Sequence, residues 1–240
     1  MTLPVHHRTA LIKAISPNRL TTYQSASLIS RCDVLDLYVW DRDLAAAAMA
    51  DIAILEVAMR NAMSKVLEQV AGRADWYAVD IGLDNRSLHA VAKAWSEVPT
   101  GIRIPGRVVA QLMFGFWRNL LEAGGPLGEG PRKVRADYEA LWRTHLRTAF
   151  PGGNAVARAR GMQSTRASTL GVVKEVHALR NRAAHHEPLV NGFPMPGEKR
   201  RLTTAEGYNA CLRLAALLDR DLESWLKADS RMAQVLAARP

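Results

Sequence analysis

Residues 172–189, VVKEVHALRNRAAHHEPL, are the stretch on which the interpretation of the whole chain depends. The first half places apolar residues on one helical stripe: Val172, Val173, Val176, Leu179 and Ala183. The second half is polar and ends at Pro188; its polar residues are Arg180, Asn181, Arg182, His185, His186 and Glu187. The pattern predicts an amphipathic helix with a concentrated polar cluster at its carboxyl end.

Arg180 and His185 together offer phosphate chemistry. A guanidinium stays protonated and binds phosphate oxygens, whereas an imidazole gains and loses a proton near neutral pH. On an ideal helix the two positions lie ~140° apart, while Asn181 shares a face with His185. Such a site is completed from outside, most simply by the same helix of a second subunit across a two-fold axis. We therefore expect a homodimer with Arg180, Asn181 and His185 around a shared cleft, and this chemistry requires no cofactor.

Metal binding is the rival chemistry, because His185, His186 and Glu187 spell HHE. Consecutive residues on a helix point ~100° apart and do not converge on one ion. We therefore expect no metal site. The structural alternative is a histidine pair held at the helix end by the helix dipole. It accounts for the two histidines but not for Arg180 and Asn181 beside them.

Composition favours an anionic partner. The 240-residue chain carries a formal charge of +9 at pH 7, with 48% hydrophobic residues and an isoelectric point near 10.0. Nucleic acid is the leading partner class for such a charge, and an anionic membrane surface is the weaker one. Cys32 and Cys211 are far apart and in no CxxC pair, as in reduced cytosolic proteins.

The apolar segments indicate a soluble, cytoplasmic protein with no membrane span. The amino-terminal residues MTLPVHHRTALIKAIS lack the apolar core of a signal peptide. The most apolar run, LAAAAMADIAILEVAM, is interrupted by Asp51 and Glu56 and is too polar to cross a bilayer.

Apolar spacings of three and four predict further helices along the chain. The first half of the chain holds a short helix near 18–26 begun by Ser16 and Pro17, an apolar segment at 33–40 and a long helix at 43–71 ended by Gly72. Further helices are predicted at 84–98, 108–123 and 137–150. A capping box of Thr203 and Glu206 opens the last helical stretch. Phe114, Phe116 and Trp117 are expected in the core. The sequence predicts an all-α bundle with a longer irregular central region, formed as one domain over 1–240, with a connecting basic region at 124–165.

Two further sets of residues are candidates for the site. Glu56 precedes Arg60 by four residues, which predicts either an exposed intrahelical ion pair or a supporting role beside Arg180. His186 is a third supporting candidate. Between Ala140 and Lys174 there is no acidic residue, so this region would guide RNA toward the helix. Its basic residues are Arg143, Arg147, Arg158, Arg160, Arg166 and Lys174.

Arg180-Asn181-x3-His185 resembles the Arg-x4-6-His signature of HEPN ribonucleases, and LRNRAAHHEPL resembles its form in Abi-like, abortive-infection bacterial proteins. Segments in the same order are similar to that family over most of the chain: SPNRLTTYQ, LDLYVWDRDLAAAAM, LEVAMRNAM, DWY and VVAQLMFGFWRNLL. The region 151–161 has no equivalent in the resemblance. The resemblance implies an α-helical HEPN core, usually dimeric, in which the Arg-x4-His helices meet at the interface.

The resemblance also implies metal-independent cleavage of RNA, in phage defence or as a toxin. His185 would act as general base or acid, Arg180 would bind the scissile phosphate, and Asn181 would bind the phosphate or orient His185. Dependence on the ribose 2′-hydroxyl restricts this mechanism to RNA and gives 2′,3′-cyclic phosphate products. Two alternatives stay open: a noncatalytic module that binds RNA, including a small noncoding RNA, and a helical scaffold.

Overall fold

A computed structural model describes residues 4–128 and 134–240 of the chain. The fold is all-α, as the sequence predicts. The helices are α1 (Val5–Ile15), α2 (Pro17–Ser30), α3 (Val34–Ala71), α4 (Asn85–Glu97), α5 (Pro105–Gln111), α6 (Phe114–Asn119), α7 (Tyr138–Thr144), α8 (Gly153–Ala159), α9 (Arg166–Ala184), α10 (Thr204–Leu218), α11 (Arg220–Asp229) and α12 (Arg231–Ala237). Short 3-10 turns lie at Trp76–Ala78, Thr100–Ile102 and Leu146–Ala149.

Two antiparallel hairpins are the strand structure of the described residues. Strand β1 (Pro126–Leu127) pairs with β2 (Val134–Arg135), and β3 (Phe193–Pro194) pairs with β4 (Arg201–Leu202). Strand β1 lies in the Gly/Pro-rich piece 124–131, at the start of the predicted connecting region 124–165, and β2 follows that piece. Residues 129–131 of that piece lie outside the described residues.

The 38-residue helix α3 is the central element of the bundle. The sequence predicts two segments, 33–40 and 43–71, but they form one helix. Asp33 is the reason, because its carboxylate accepts hydrogen bonds from the backbone N–H groups of Leu35 and Asp36 and so caps the helix further upstream. The predicted end is confirmed at Gly72, which has a φ of 66°.

Helix α9 packs against α3, α6 and α10, so the polar cluster at its end sits on a firmly packed helix. Its apolar stripe is confirmed: Val172, Val173, Val176, Leu179 and Ala183 are all buried. The core residues from Leu20 to Met232 form one contiguous cluster. The capping box of Thr203 and Glu206 is confirmed at the start of α10.

The single helix predicted over 108–123 is wrong, because the chain breaks between α5 and α6. Met113 is extended, with φ −71° and ψ 164°, and Trp117 Nε1 donates to the carbonyl oxygen of Leu112 at 3.1 Å. Phe114, Phe116 and Trp117 all lie on α6 after the break and are buried, which confirms their predicted place in the core.

Two other predicted helix ends move, and one predicted cap is not formed. The helix predicted at 18–26 runs from Pro17 to Ser30, and Pro17 occupies its first position as predicted. Ser16 has a φ of 74° and its side chain makes no capping bond, so the predicted cap is wrong. The helix predicted at 137–150 stops at Thr144 because His145 leaves helical geometry, with φ −136° and ψ −66°.

Gly152 marks a close approach between the start of α8 and the end of α10. Its backbone N–H donates to the carbonyl oxygen of Leu217 at 3.0 Å. A β-carbon at this position would collide with the carbonyl oxygen of Ala216. Gly171 in α9 has nothing near the position of its missing β-carbon.

We expect Gly152→Ala to lower the free energy of unfolding by about 2 kcal/mol, because the methyl group forces two backbones apart. Gly171→Ala is the matched control and should leave stability unchanged or raise it by up to about 1 kcal/mol, since alanine favours a helix interior. Urea unfolding followed by circular dichroism measures both. Equal stability of the two variants would contradict the close approach.

Candidate functional site

Helix α9 ends at Ala184, earlier than the sequence predicts, in a left-handed turn. His185 is the cap residue, and its backbone N–H donates to the carbonyl oxygen of Asn181 at 3.0 Å. His186 has a φ of 54°, and the next N–H, that of Glu187, donates to the carbonyl oxygen of Arg182 at 3.0 Å. This is the Schellman arrangement, in which glycine is the usual left-handed residue. As a result, residues 185–187 leave the helix and are exposed.

Arg182 and Arg19 fix this turn. Arg182 Nε donates to the carbonyl oxygen of Pro188 at 3.0 Å, and its guanidinium forms a 2.7 Å ion pair with Glu187. Arg19 of α2 donates to the carbonyl oxygen of His186. Arg182 and Glu187 therefore stabilise the turn that ends α9.

The buried carboxylate of Asp41 anchors the segment after the turn. It accepts a hydrogen bond from the Tyr23 hydroxyl at 2.7 Å and from the backbone N–H of Leu189 at 3.0 Å. Burial raises the pKa of Asp41, while the bonds from Tyr23 and Leu189 act in the opposite direction. Asp41 thus joins α2, α3 and the exit from α9.

Arg180, Asn181 and His185 have no such partners. Among residues 4–128 and 134–240, no side-chain hydrogen bond or ion pair engages any of the three. Arg180 Nε is buried without a hydrogen-bond partner, and His185 is exposed. A buried donor of this kind normally has an acceptor. The three residues are therefore available to a ligand or to a second subunit, in contrast to Arg182.

Arg118 of α6 and His177 of α9 extend this cluster. Arg118 Nη1 lies 3.0 Å from His177 Nδ1, and the His177 ring stacks on Phe114 with centroids 5.0 Å apart and planes 3° apart. Burial, together with the positive charges of Arg118 and Arg180, lowers the pKa of His177 to about 4. The result is a neutral imidazole beside two guanidiniums. Arg118 pairs with Glu122 at 3.4 Å, whereas Arg180 has no ion pair within the described residues.

Sequence reasoning missed Arg118. It placed His177 on the polar face with Asn181 and His185, but gave Arg118 no role. The available signal was a charged residue directly after the core residues Phe116 and Trp117. A charged residue next to buried aromatic residues lies at the edge of the core. Only the structure shows that α6 packs against α9 at this position.

The intrahelical ion pair predicted on α3 is not found, and the supporting role of Glu56 and Arg60 stays a prediction. Within the described residues, Glu56 and Arg60 form no ion pair, and Arg60 Nε is buried without a hydrogen-bond partner. Arg60 and Asn61 instead line a pocket with Pro105 and Val109 beside α5, and no residue of α9 lines it. The i,i+4 spacing permits an ion pair but does not enforce one.

Two of the six predicted RNA-binding residues form ion pairs within the protein. Arg166 forms a 2.7 Å ion pair with Glu139 and donates to the carbonyl oxygen of Leu121. Arg160 lies 3.5 Å from the buried carboxylate of Glu175. The absence of acidic residues between Ala140 and Lys174 did not reveal these ion pairs, because the partners Glu139 and Glu175 lie just outside that region.

The other four predicted RNA-binding residues form no ion pair within the described part of the chain. Arg143 and Arg147 line a pocket with Trp142 and Thr165. Arg158 is exposed and Lys174 is half-buried.

A cavity of about 500 Å³ adjoins the helix end. Arg19, Tyr38, Arg42, His186 and Glu187 are among its lining residues. Arg180, Asn181 and His185 do not line it, so the cavity and the predicted catalytic cluster are neighbouring but distinct features. His186, predicted to support catalysis, lies on the side of this cavity.

In the part of the chain that the structure describes, no group of three or more His, Cys, Asp or Glu side chains is arranged to hold a metal ion. No described helix combines the length and apolarity needed to cross a membrane. Comparison of the chain with family models, curated proteins and solved structures gives no match. The case for function therefore depends on the site itself and on the resemblance of its motifs.

We expect the His177 imidazole to titrate with a midpoint near pH 4 rather than near 6.5. The unfolded chain binds this proton more readily than the folded protein does. The contribution of His177 to stability is therefore intact above pH 6.5 and is lost as the pH falls toward 4. An NMR titration of the histidine ring protons measures the midpoint, and His177→Gln identifies the signal by removing it. A midpoint above 6 would contradict the burial of this ring beside Arg118.

Proposed function

We propose that this protein is a metal-independent endoribonuclease of HEPN type, acting as a homodimer in an anti-phage or toxin role in the cytoplasm. One observation carries the proposal. Arg180, Asn181 and His185 lie at the end of a firmly packed helix, and no described residue engages their side chains. The neighbouring residues Arg182 and Glu187 form an ion pair that stabilises the helix end. Stabilising the helix end therefore does not explain why Arg180, Asn181 and His185 are present.

Phosphoester transfer within RNA uses these groups as follows. The 2′-hydroxyl oxygen attacks phosphorus and loses its proton to one imidazole of His185. The bond to the 5′-oxygen breaks, and that oxygen takes the proton from the same imidazolium. The products are a 2′,3′-cyclic phosphate and a 5′-hydroxyl, so atoms and charge balance without a metal ion. The His185 of one subunit therefore serves first as general base and then as general acid.

Arg180 binds the phosphate in this proposal. Its guanidinium donates to the non-bridging oxygens, where negative charge grows in the transition state. Arg118 lies in the same cluster through its contact with His177 and adds positive charge. The neutral His177 ring orients Arg118 rather than moving a proton.

The second candidate function is a noncatalytic protein that holds a small RNA. The basic composition and the unengaged Arg180 favour RNA binding in either case. The two functions differ in whether His185 is required for bond cleavage.

Purified protein incubated with total RNA in EDTA tests the proposal. We expect cleavage to persist in EDTA and to fall about a hundredfold or more in His185→Ala, because general acid–base catalysis is lost. Arg180→Ala should also lose activity. His89→Ala removes an exposed histidine on α4 and is the matched control, expected to cut as the parent does. Binding of RNA by the parent and His185→Ala without cleavage by either would establish the noncatalytic function.

Mixing inactive variants tests the shared cleft. If Arg180 of one subunit acts with His185 of the other, mixed dimers of Arg180→Ala and His185→Ala hold one intact site. An equimolar mixture after subunit exchange should regain about a quarter of the parental activity, since about half of the dimers are mixed. Size-exclusion chromatography with light scattering verifies the dimer. No recovery despite mixed dimers would place both residues of each site in one subunit.

A further inference from the structure

A groove formed by α8, α10 and α11 is strongly basic and lies apart from the α9 end cluster. It has a volume of about 590 Å³. Its charged lining residues are Arg160, Arg213, Arg220, Lys227 and Glu223. Four basic side chains therefore face one acidic side chain in the groove.

The apolar part of the same groove is a floor of small side chains. Helix α8 contributes Ala155, Val156 and Ala159, and α10 contributes Leu212 and Ala216. A flat apolar floor beside basic side chains suits a ligand with an aromatic ring and an attached anion. This combination distinguishes the groove from an ordinary solvated basic surface.

Glu175 of α9 organises the basic side from behind the groove. Its carboxylate is buried and lies 2.8 Å from Arg213, 3.2 Å from Arg200 and 3.5 Å from Arg160. Arg200 also pairs with Glu198 at 3.3 Å, so these three arginines face two carboxylates and one positive charge remains. The fold thus assembles more positive charge than its own acidic groups balance.

Arg213 supplies an independent sign of a missing partner. Its Nη2 atom donates to Glu175 at 2.8 Å, while its Nε atom is buried and has no hydrogen-bond partner. A buried guanidinium donor without an acceptor is unfavourable until an anion provides one.

We infer that the α8–α10–α11 groove binds the phosphate of a nucleotide, with the base on the apolar floor and the phosphate on Arg213, Arg160, Arg220 and Lys227. The nucleotide is either free or part of an RNA strand, and both sources present the same chemistry. This inference does not depend on the proposed cleavage reaction, because none of the groove residues belongs to the Arg180 cluster.

Two probes separate the sources: ADP for a free nucleotide, and a single-stranded 2′-O-methyl RNA for a strand. The methylated strand has no 2′-hydroxyl and cannot be cut by the proposed mechanism, so binding is measured whether or not the protein is a ribonuclease. Isothermal titration calorimetry measures ADP, and fluorescence anisotropy at several salt concentrations measures the strand.

The test variant is Arg220→Ala with Lys227→Ala, because both residues are exposed and their loss should not disturb the fold. The matched control is Arg107→Ala with Lys93→Ala, which removes the same charge from α5 and α4. Lys93 forms an i,i+4 pair with Glu97, as Lys227 does with Glu223. Arg213→Lys keeps the charge of Arg213 but removes its planar donor fork.

We expect the groove variant to bind at least one probe about tenfold or more weakly than the control variant does. For the RNA strand, the salt dependence should also fall by about 0.7 per lost phosphate contact. ADP binding identifies a free-nucleotide site, and strand binding alone identifies an RNA site. Equal affinities of the groove and control variants, or no binding of either probe by the parent, would overturn the inference.

Discussion

The buried carboxylate of Asp41 is the interaction on which the arrangement of the site depends. It is one group in the middle of α3's first half that bonds both to Tyr23 of α2 and to the backbone of Leu189. Burying a charge is costly unless it is hydrogen-bonded, and these bonds offset that cost. Because Leu189 is held against α3, the chain must leave α9 within a few residues. The left-handed His186 and the exposure of His185 follow from that constraint.

The same constraint divides the polar end of α9 into two groups. Arg182, Glu187 and the backbone of His186 are tied into the turn by ion pairs and by Arg19. Arg180 and His185 lie on either side of Arg182 in sequence but are not tied. A helix ended by glycine would need none of this support. Several side chains therefore stabilise the turn, while the side chains of Arg180 and His185 are left without partners among the described residues. This arrangement is expected for a site that binds a ligand or a second subunit.

The sequence predicted the all-α class, the apolar stripe of α9, the end of α3 at Gly72 and the core positions of Phe114, Phe116 and Trp117. These follow from periodicity and capping, which are local. The break at Met113, the Glu175 arginine cluster and the contact of Arg118 with His177 were not predicted. The last two depend on elements far apart in the chain. Asp41 was missed for the same reason, since a lone aspartate in an apolar helix shows nothing of Tyr23 or Leu189.

The environments of His177 and His185 decide which imidazole can move a proton in the proposed reaction. His177 is buried, stacked on Phe114 and faced by Arg118 and Arg180, and all of these conditions keep it neutral near pH 7. A group that does not take up a proton at working pH is a poor general base, and one that does not hold a proton cannot act as general acid. His185 is exposed at the end of α9. If the α9 cluster cleaves RNA, the proton must therefore pass through His185, and His177 serves by holding Arg118 in place beside the phosphate.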